Sequence, residues 1–457
     1  MARRRSPRTR PQIQASRDAA GVTRRRSPRL HPQTQASKEG AGVAPRRSPR
    51  LHLQIQGNEK GAGVIRRRRR RRRRRGTSLP DDDGMLWEIL LRLPPQPSSL
   101  PRASAVCKRW RGIVGDPKFH RQFYAHHRKP PLLGVFVWGE KHEGIVFKPV
   151  LDPPNRIPAR RFSLGLGNNR EDHELLNCRH GLVLVKDCVS REVIVCDPIM
   201  GKQRRVALPP VFHSAYFRGV VLCAAAGNQG HVHGDCPFKV VLSSAFRQDN
   251  QPLACVYSSE TGEWGDPIIA EDPCYVEYVG RHATLVGNAL YWPFNNDQML
   301  EFDLDRQKLA VIAGPPVTNA FLFAHRQIIQ AEDGAVVLAI LADSRFQMWQ
   351  RNVSCQGVAT WALWKTIQMH NILGISLQIG EYMAWTGYDE DNDVMLLDVD
   401  HDVYSFQLKS MESKKLYIPN CTSQIHLFTS FYTPGTSIDV GSDPAEMLHG
   451  TSDACLV

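Results

Sequence analysis

Residues 79–95 read LPDDDGMLWEILLRLPP, and the organisation of the chain follows from this stretch. Three consecutive aspartates at 81–83 supply acceptors and negative charge for the free N–H groups of a helix start. Four apolar residues then recur at the i, i+3, i+4, i+7 spacing of one helical face: Leu86, Ile89, Leu90 and Leu93. Pro94-Pro95 ends the pattern. The stretch therefore predicts a short amphipathic helix.

Two further short helices are predicted before residue 128. Ser98 or Ser99 caps the second, whose apolar stripe runs through Ala103, Val106, Cys107, Trp110 and Val114. Asp116-Pro117 is an N-cap followed by a first-turn proline, and it predicts a third helix with Phe119 and Phe123 on one face. Three helices this short bury too little surface to be stable alone. Their apolar stripes therefore indicate something docked against them.

This helical stretch resembles an F-box, the module by which substrate receptors bind the Skp-type adaptor of cullin–RING ubiquitin ligases. The resemblance lies in Leu79-Pro80-Asp81-Asp82, Glu88-Ile89-Leu90, Arg92-Leu93-Pro94-Pro95 and Val106-Cys107-Lys108-Arg109-Trp110. It implies adaptor contacts from nine residues: Leu79, Pro80, Leu86, Ile89, Leu90, Leu93, Pro94, Val106 and Trp110. In helices this short, five of them are expected to serve the internal core as well as the adaptor, with Trp110 partly inside: Ile89, Leu90, Leu93, Val106 and Trp110. Compared with the family, Asp83-Gly84 resembles a two-residue insertion in the loop before the first helix.

The positive charge of the chain is confined to its first 76 residues. The formal net charge is +14 over 457 residues, but residues 1–76 hold 25 Lys+Arg and 3 Asp+Glu, a net +22 that leaves −8 for the rest. Arg-Arg-Ser-Pro-Arg recurs there with a period of 21 residues, and ten arginines follow at 66–75. Few apolar residues and strong self-repulsion predict a disordered tail.

The arginine-rich tail has two interpretations. Clustered arginines are typical of nuclear-import signals and of nucleic-acid-binding arms, because they neutralise phosphates. Ser6, Ser27 and Ser48, each followed by proline and flanked by arginine, are candidate phosphorylation sites that would tune this charge. The alternative is a solvated tail without a dedicated role, or a mistaken start of the chain.

From Leu132 onward the sequence changes to short apolar runs broken by turns. Paired runs occur at 181–185 with 193–196, 239–242 with 254–257, 289–292 with 299–302, 335–341 with 345–349, and 394–397 with 403–408. β-Branched and aromatic residues bounded by Gly, Asp, Asn or Pro predict strands. Turn signals near 197, 260, 303, 357 and 400 recur about every 40–60 residues, the range of a propeller blade. A β-sandwich is the competing architecture.

Several phrases of this region also resemble the domain that follows the F-box in many plant F-box proteins. They are Cys178-Arg179-His180-Gly181-Leu182, Val195-Cys196-Asp197-Pro198, Tyr257-Ser258-Ser259-Glu260-Thr261-Gly262, Leu285-Val286-Gly287-Asn288 and Phe431-Tyr432-Thr433-Pro434-Gly435. The predicted fold class is α+β and multidomain, with a mostly antiparallel all-β, propeller-like domain. The predicted domains are a disordered tail at 1–76, the F-box at 77–130, the β domain at 131–440 and a flexible tail at 441–457.

The sequence predicts a protein without catalytic chemistry, cofactor or metal. It lacks a Gly-x-Ser-x-Gly elbow and a phosphate-binding Walker loop. His231-Val-His233-Gly-Asp235-Cys236 has zinc-ligand types but no second ligand pair, and Asp389-Glu-Asp391-Asn-Asp393 lacks the glycine and bidentate glutamate of a calcium loop. A polar surface loop is favoured for the first motif, and an acidic turn between strands for the second. Packing between strands is favoured over a recognition surface for most of six tryptophans: Trp264, Trp292, Trp349, Trp361, Trp364 and Trp385.

Cellular location is predicted from what the chain lacks. It shows no secretory signal and no apolar run long enough to span a bilayer. Its 11 cysteines, without paired spacing, favour reduced thiols in the nucleus or cytoplasm.

The leading functional hypothesis is a non-catalytic receptor subunit that binds the Skp-type adaptor, and through it a cullin–RING ligase, while the β domain binds an unknown protein target. One alternative is a nuclear RNA- or DNA-binding protein acting through residues 1–76, and another is an F-box scaffold outside any ligase. No membrane contact is expected.

Overall fold

The structure, a computed structural model, describes residues 83–138, 144–166, 172–213, 216–223, 236–245, 251–274, 282–294, 298–316, 325–342, 345–374, 383–418 and 425–432. The predicted disordered tail at 1–76 and the predicted flexible tail at 441–457 lie outside these residues. So do Ser6, Ser27, Ser48, Leu79 and Pro80, and residues 231–235 of the histidine-containing motif.

The first described segment is helical. It contains α1 (Asp83–Leu91), α2 (Ser99–Ser104), α3 (Lys108–Val114) and α4 (Pro117–His127). α4 begins as predicted, because the Asp116 side chain accepts the Lys118 backbone N–H at 2.8 Å and Pro117 occupies its first turn.

Two details of this segment differ from the sequence prediction. Asp83 and Gly84 belong to α1 rather than to an insertion before it. The predicted second helix is two helices, because Cys107 is extended, with φ −163° and ψ 169°. The Ser104 hydroxyl donates to the Pro101 carbonyl at 2.8 Å, a local bond that competes with continued helix. The apolar stripe is therefore split, and Val106 and Cys107 are exposed.

After α4, the strands of the described residues form six antiparallel sheets. The first sheet contains β1 (Leu132–Trp138), β2 (Ile145–Pro149) and β24 (His426–Thr429). The second contains β3 (His173–Arg179), β4 (Leu182–Asp187), β5 (Glu192–Asp197) and β6 (Lys202–Ala207). The third contains β7 (Arg218–Cys223), β8 (Phe238–Ser244), β9 (Leu253–Ser258), β10 (Glu263–Trp264) and β11 (Ile268–Ile269).

The other three sheets have four strands each. The fourth contains β12 (Thr284–Val286), β13 (Ala289–Pro293), β14 (Gln298–Asp303) and β15 (Lys308–Ala313). The fifth contains β16 (His325–Gln330), β17 (Val336–Ala342), β18 (Arg345–Val353) and β19 (Ala359–Gln368), and the short helix α5 (Met369–Leu373) follows β19 in the sequence. The sixth contains β20 (Met383–Asp389), β21 (Val394–Val399), β22 (Asp402–Gln407) and β23 (Ser413–Leu416).

The six sheets are the blades of a β-propeller, because each packs on the next. Six apolar clusters each join two sequential sheets, and the last joins the sixth sheet to the first. Strands in the middle of a blade are consequently buried on both faces. In β5 of the second blade, Ile194 and Cys196 lie in the cluster shared with the first blade. Val193 and Val195, which point the other way, lie in the cluster shared with the third blade. This explains why the runs read as continuously apolar rather than alternating.

The ring is closed by strands from distant parts of the chain. β24 pairs antiparallel with β1, so that Val135 lies opposite Leu427 and Phe136 opposite His426. The first blade therefore takes its inner strand from residues 426–429 and its other two from residues 132–149. Closure of this kind joins the two ends of the β domain within one blade.

The predicted turns are confirmed at the ends of strands. The turns near 197, 260, 303 and 357 connect the third and fourth strands of blades two to five, and the one near 400 connects β21 to β22. The acidic segment after Asp389 is a turn between β20 and β21, as predicted. Within the described residues, no group of three or more His, Cys, Asp or Glu side chains is placed to hold a metal ion.

The ends of several inner strands meet around a buried ion pair. Arg179, which ends β3, pairs with Glu390, which follows β20. Glu390 also accepts the Leu285 N–H at 3.0 Å, and Arg179 donates to the Ala283 carbonyl at 3.3 Å. Burial raises the pKa of Glu390, and the charge of Arg179 partly offsets this. The pair thus joins blades two, four and six.

Five of the six tryptophans are buried or half-buried, and Trp364 is 52% exposed. Trp264 and Trp361 each donate their indole N–H across a blade boundary, to the Ala207 and Ala313 carbonyls respectively. Packing between strands is therefore the main role of these residues, as predicted.

Cysteine pairing differs from the prediction of reduced thiols, because Cys223 and Cys236 form a disulfide. Among the described residues, no helix has the length and apolar character needed to cross a membrane.

Candidate adaptor-binding site

The four helices form a small module with a filled interior. Its buried residues are Leu86, Leu90, Leu91, Leu100, Ala103, Val114, Phe119, Phe123 and Tyr124. Phe431, which follows the last strand of the propeller in the sequence, packs among them. Leu90 and Phe119 have no exposed surface. The amphipathic faces predicted for α1 and α4 thus pack on each other and on the propeller.

α1 and α4 are fixed by polar as well as apolar contacts. The Trp87 indole packs edge-on against Phe119, with ring centroids 5.2 Å apart, and its N–H donates to the Gln122 side-chain oxygen at 2.6 Å. At the other end of α1, a ring nitrogen of His127 lies 3.0 Å from the Leu91 carbonyl. Burial lowers the pKa of His127, and this hydrogen bond partly offsets the effect. A neutral His127 therefore satisfies the last turn of α1 at neutral pH.

The module exposes apolar side chains on its outer surface. Met85 is 52% exposed, Ile89 is 43% exposed and Val106 is 57% exposed. Met85 and Ile89 are four residues apart on α1 and therefore share one face. The guanidinium of Arg109, in α3, pairs with Asp83 at the start of α1, with 2.6 Å between Nε and Oδ1. We call Met85, Ile89 and Val106 the outer apolar surface.

The nine predicted adaptor contacts divide by location. Ile89 and Val106 lie on the outer apolar surface, Pro94 is also exposed, and Leu93 and Trp110 are half-buried. The structure places Leu86 and Leu90 in the module interior, 2% and 0% exposed, so they support the surface from beneath. Leu79 and Pro80 precede the described residues. Met85 was missed by the sequence prediction, although its i, i+4 spacing to Ile89 was visible.

The module is attached to one end of the propeller. The rings of Tyr124 and Phe431 stack with centroids 4.7 Å apart. The Ser98 hydroxyl donates to Asn155 Oδ1 at 2.7 Å, and the Asn392 side-chain amide donates to the Pro130 carbonyl at 3.1 Å. The role of Phe431 was not predicted, because no periodicity connects it with the helices.

Comparison with known families agrees with this geometry. The family model described as F-box-like matches residues 77–126, and the model described as F-box protein AT5G49610-like, beta-propeller, matches residues 174–434. The second match covers more than half of the chain. The alternative of a nucleic-acid-binding protein receives no support from these matches, and its basis in residues 1–76 lies outside the described part.

The name of a curated relative also contains an F-box. The chain is 28% identical over 200 residues to the putative F-box/kelch-repeat protein At1g15680 of Arabidopsis thaliana, a match that covers 41% of this chain and 45% of that protein. The aligned part thus spans under half of the relative.

Two solved structures also align with the chain. A crystal structure of a protein of unknown function from Bacteroides caccae aligns with 66% of this chain and all of its own, at 10% identity and a TM-score of 0.38. The Cps50 (Swd1) β-propeller domain of Myceliophteria thermophila aligns with 62% of this chain and 86% of its own, at 12% identity and a TM-score of 0.34. At these scores, neither alignment bears on the argument.

The helical module, the six-bladed ring and the two family matches agree along the chain. We conclude that this chain belongs to the plant F-box proteins that carry an AT5G49610-like β-propeller.

Proposed function

We propose that the protein is the substrate-receptor subunit of an SCF-type ubiquitin ligase. In this role the helical module binds a Skp-type adaptor and the propeller binds a protein target, without catalytic chemistry on this chain. The rate gain comes from proximity, because a tethered target meets the ubiquitin-charged enzyme at high effective concentration. The protein would act in the nucleus or the cytoplasm.

The observation that carries the proposal is the outer apolar surface. The module interior is filled by its own leucines and aromatics and by Phe431, so Met85, Ile89 and Val106 are not needed for the internal core. Grouped exposed apolar side chains on a family-matched F-box module favour a partner-binding role.

The proposal is tested by adaptor pull-down with the full-length protein and its Ile89→Asp variant. A charge on the outer apolar surface should lower retention of a purified Skp-type adaptor at least tenfold, because the carboxylate would be desolvated on binding. Leu90→Asp is unsuitable, since that residue is fully buried and the substitution would unfold the module.

The matched control is Val189→Asp, which makes a similar apolar-to-acidic change at a propeller residue that is 73% exposed. It should bind the adaptor like the wild type. Failure of the folded wild-type protein to retain any adaptor would refute the proposal.

A further inference from the structure

A small pocket lies between the third and fourth blades, remote from the helical module. Its walls include Tyr216, Arg218, Ser243, Ala245, Trp292 and Leu300, and the space that they leave for a water-sized group is about 10 Å³. The pocket is partly open, so the tip of a larger ligand fits between its walls. Most of its lining side chains are apolar, so the polar groups among them are conspicuous.

The first of these polar groups is the guanidinium of Arg218. The residue is only 5% exposed, and its guanidinium lies over the Tyr216 ring, 4.7 Å from the centroid. Nη1 is 3.6 Å from a carboxylate oxygen of Glu174, which is too long for a hydrogen bond. Nε and Nη2 find no acceptor among the described residues. Buried charged donors without acceptors are costly, so they indicate a group that supplies acceptors.

The second polar group is the indole of Trp292, from the neighbouring blade. Trp292 is 1% exposed, and its Nε1 likewise finds no acceptor among the described residues. Tryptophan only donates hydrogen bonds, and arginine only donates as well. Both blades therefore contribute donors to one small pocket, which selects for a ligand with hydrogen-bond acceptors.

The charge around the pocket selects the sign of the ligand. Glu174 lies 3.6 Å from both Arg218 Nη1 and Lys186 Nζ, so one carboxylate faces two cations. Lys186 also lies over the Phe217 ring, 4.6 Å from its centroid. The three charged groups sum to +1, which a monoanion would neutralise. A planar carboxylate matches the fork of a guanidinium better than a spherical anion does.

The pocket lies on the face of the ring opposite the helical module. The C-terminal ends of β3, β7 and β20 are grouped, since Arg179 pairs with Glu390 and the Cys223 N–H donates to His180 Nδ1 at 3.1 Å. The helical module attaches at this end, through Phe431 after β24. Arg218 is the first residue of β7, roughly 17 Å away along the strand. A ligand here would not compete with an adaptor.

We propose that this pocket binds a carboxylate of the target protein, supplied by an aspartate or glutamate side chain or by the terminal carboxylate of the target. Arg218 and Trp292 act as its donors. The assignment of the ligand to a target rests on the proposed function, whereas carboxylate binding itself requires no adaptor.

The test measures binding of small probes to the purified full-length protein by saturation-transfer NMR. N-acetylglycine represents a terminal carboxylate, the α-amide of N-acetylaspartic acid represents an acidic side chain, and N-acetylglycinamide is the uncharged control. At least one carboxylate should bind and the uncharged control should not, and the tighter carboxylate identifies the source.

Variants connect this binding to the pocket. Arg218→Gln should weaken carboxylate binding at least tenfold, and Arg306→Gln, which removes a guanidinium that is 83% exposed, should leave it unchanged. Trp292→Phe keeps an aromatic ring but loses the N–H, and should weaken binding severalfold. Thermal unfolding establishes whether each variant is folded. If Arg218→Gln does not fold, the binding measured for Trp292→Phe tests the proposal.

Three results would overturn the proposal. They are no carboxylate binding by the folded wild type, undiminished binding by the folded pocket variants, and tighter binding of methyl phosphate than of either carboxylate, which would assign the pocket to a phosphorylated target. The adaptor pull-down is a separate measurement, so failure of the pocket and failure of the ligase role are distinguishable.

Discussion

Neighbouring residues of α1 have opposite surroundings. Leu90 is fully buried in the module, whereas Ile89 is 43% exposed. We predict that Leu90→Ala lowers the free energy of unfolding by about 2–5 kcal/mol, through lost burial and the cavity it leaves. Ile89→Ala should cost about 0.5 kcal/mol or less, because a surface truncation leaves no cavity. Denaturant unfolding monitored by circular dichroism measures both, and equal losses would contradict this division of α1.

Asp389 gives the propeller a pH dependence. Burial raises the pKa of this carboxyl to about 7, and hydrogen bonds from Asn392 oppose the shift only partly. Because this value exceeds that of the unfolded state, near 3.9, the folded state holds the proton more tightly. The stability contributed by the protonated form is therefore complete below about pH 4 and is lost as pH rises through about 7.

We predict that the melting temperature of the wild type falls between about pH 5 and 7, and that Asp389→Asn, which carries no titrating proton, shows a shallower decline. Burial raises the pKa of neighbouring Asp391 as well, so some decline should persist in the variant. Parallel pH profiles for both proteins would show that Asp389 does not titrate in this range.

Sequence periodicity located the apolar face of α1 but not the division within it. Leu86, Ile89 and Leu90 share the helical pattern, and all were expected at the adaptor. The division depends on where α4 and Phe431 pack, and Phe431 is over three hundred residues away in sequence. Met85 could have been predicted from its i, i+4 spacing to Ile89, but it was overlooked.

At the scale of elements, the strands were the most predictable part. Short β-branched runs and their turns located most strand pairs, because burial on both faces leaves a continuous apolar signature. The break between α2 and α3 was missed, since no glycine or proline marks it. The split of the third blade's outer strand into β10 and β11 was missed as well. Both pair with β9. Between them Gly265 still donates its N–H to the Val256 carbonyl of β9 at 2.8 Å, and the ladder is interrupted at Asp266 and Pro267.

β24 is the element on which ring closure depends. Phe428 is 1% exposed and packs among Phe136, Phe147 and Phe162 of the first two blades. We predict that Phe428→Ala destabilises the propeller by about 3–5 kcal/mol. Tyr417→Ala is the control, because that ring is 91% exposed, and it should melt like the wild type. Differential scanning calorimetry checks both. A Phe428→Ala protein as stable as the control would mean that the ring does not rely on this strand.

At the scale of the whole molecule, the helical module and propeller share one core residue. Phe431 follows β24 yet fills the interior of the helices. We predict that the wild type shows a single calorimetric transition and that Phe431→Ala splits it, with the helices melting first. Tyr432→Phe removes only a hydroxyl that accepts from Arg161, and should leave one transition. Two transitions in the wild type would contradict the shared core.

The number of blades and the attachment of the module could not be predicted, although the propeller class could. Blade count depends on which strands join into one sheet, and the first blade draws its strands from both ends of the domain. Local sequence carries no sign of that pairing. The pocket between blades three and four was equally hidden, since Arg218 and Trp292 are 74 positions apart and meet only through packing.

The pairing of β1 with β24 also orders events during synthesis. His426 follows Leu132 by 294 positions, so at about 5–20 residues per second a ribosome needs roughly 15–60 s to complete the first blade. Phe431 emerges later still, and the F-box core is incomplete until it does. A nascent or truncated polypeptide without these residues would expose the apolar side chains of an incomplete helical module. Under the proposed function, assembly with an adaptor would thereby be deferred until the propeller has been made, which would keep receptors without a target-binding domain out of the ligase.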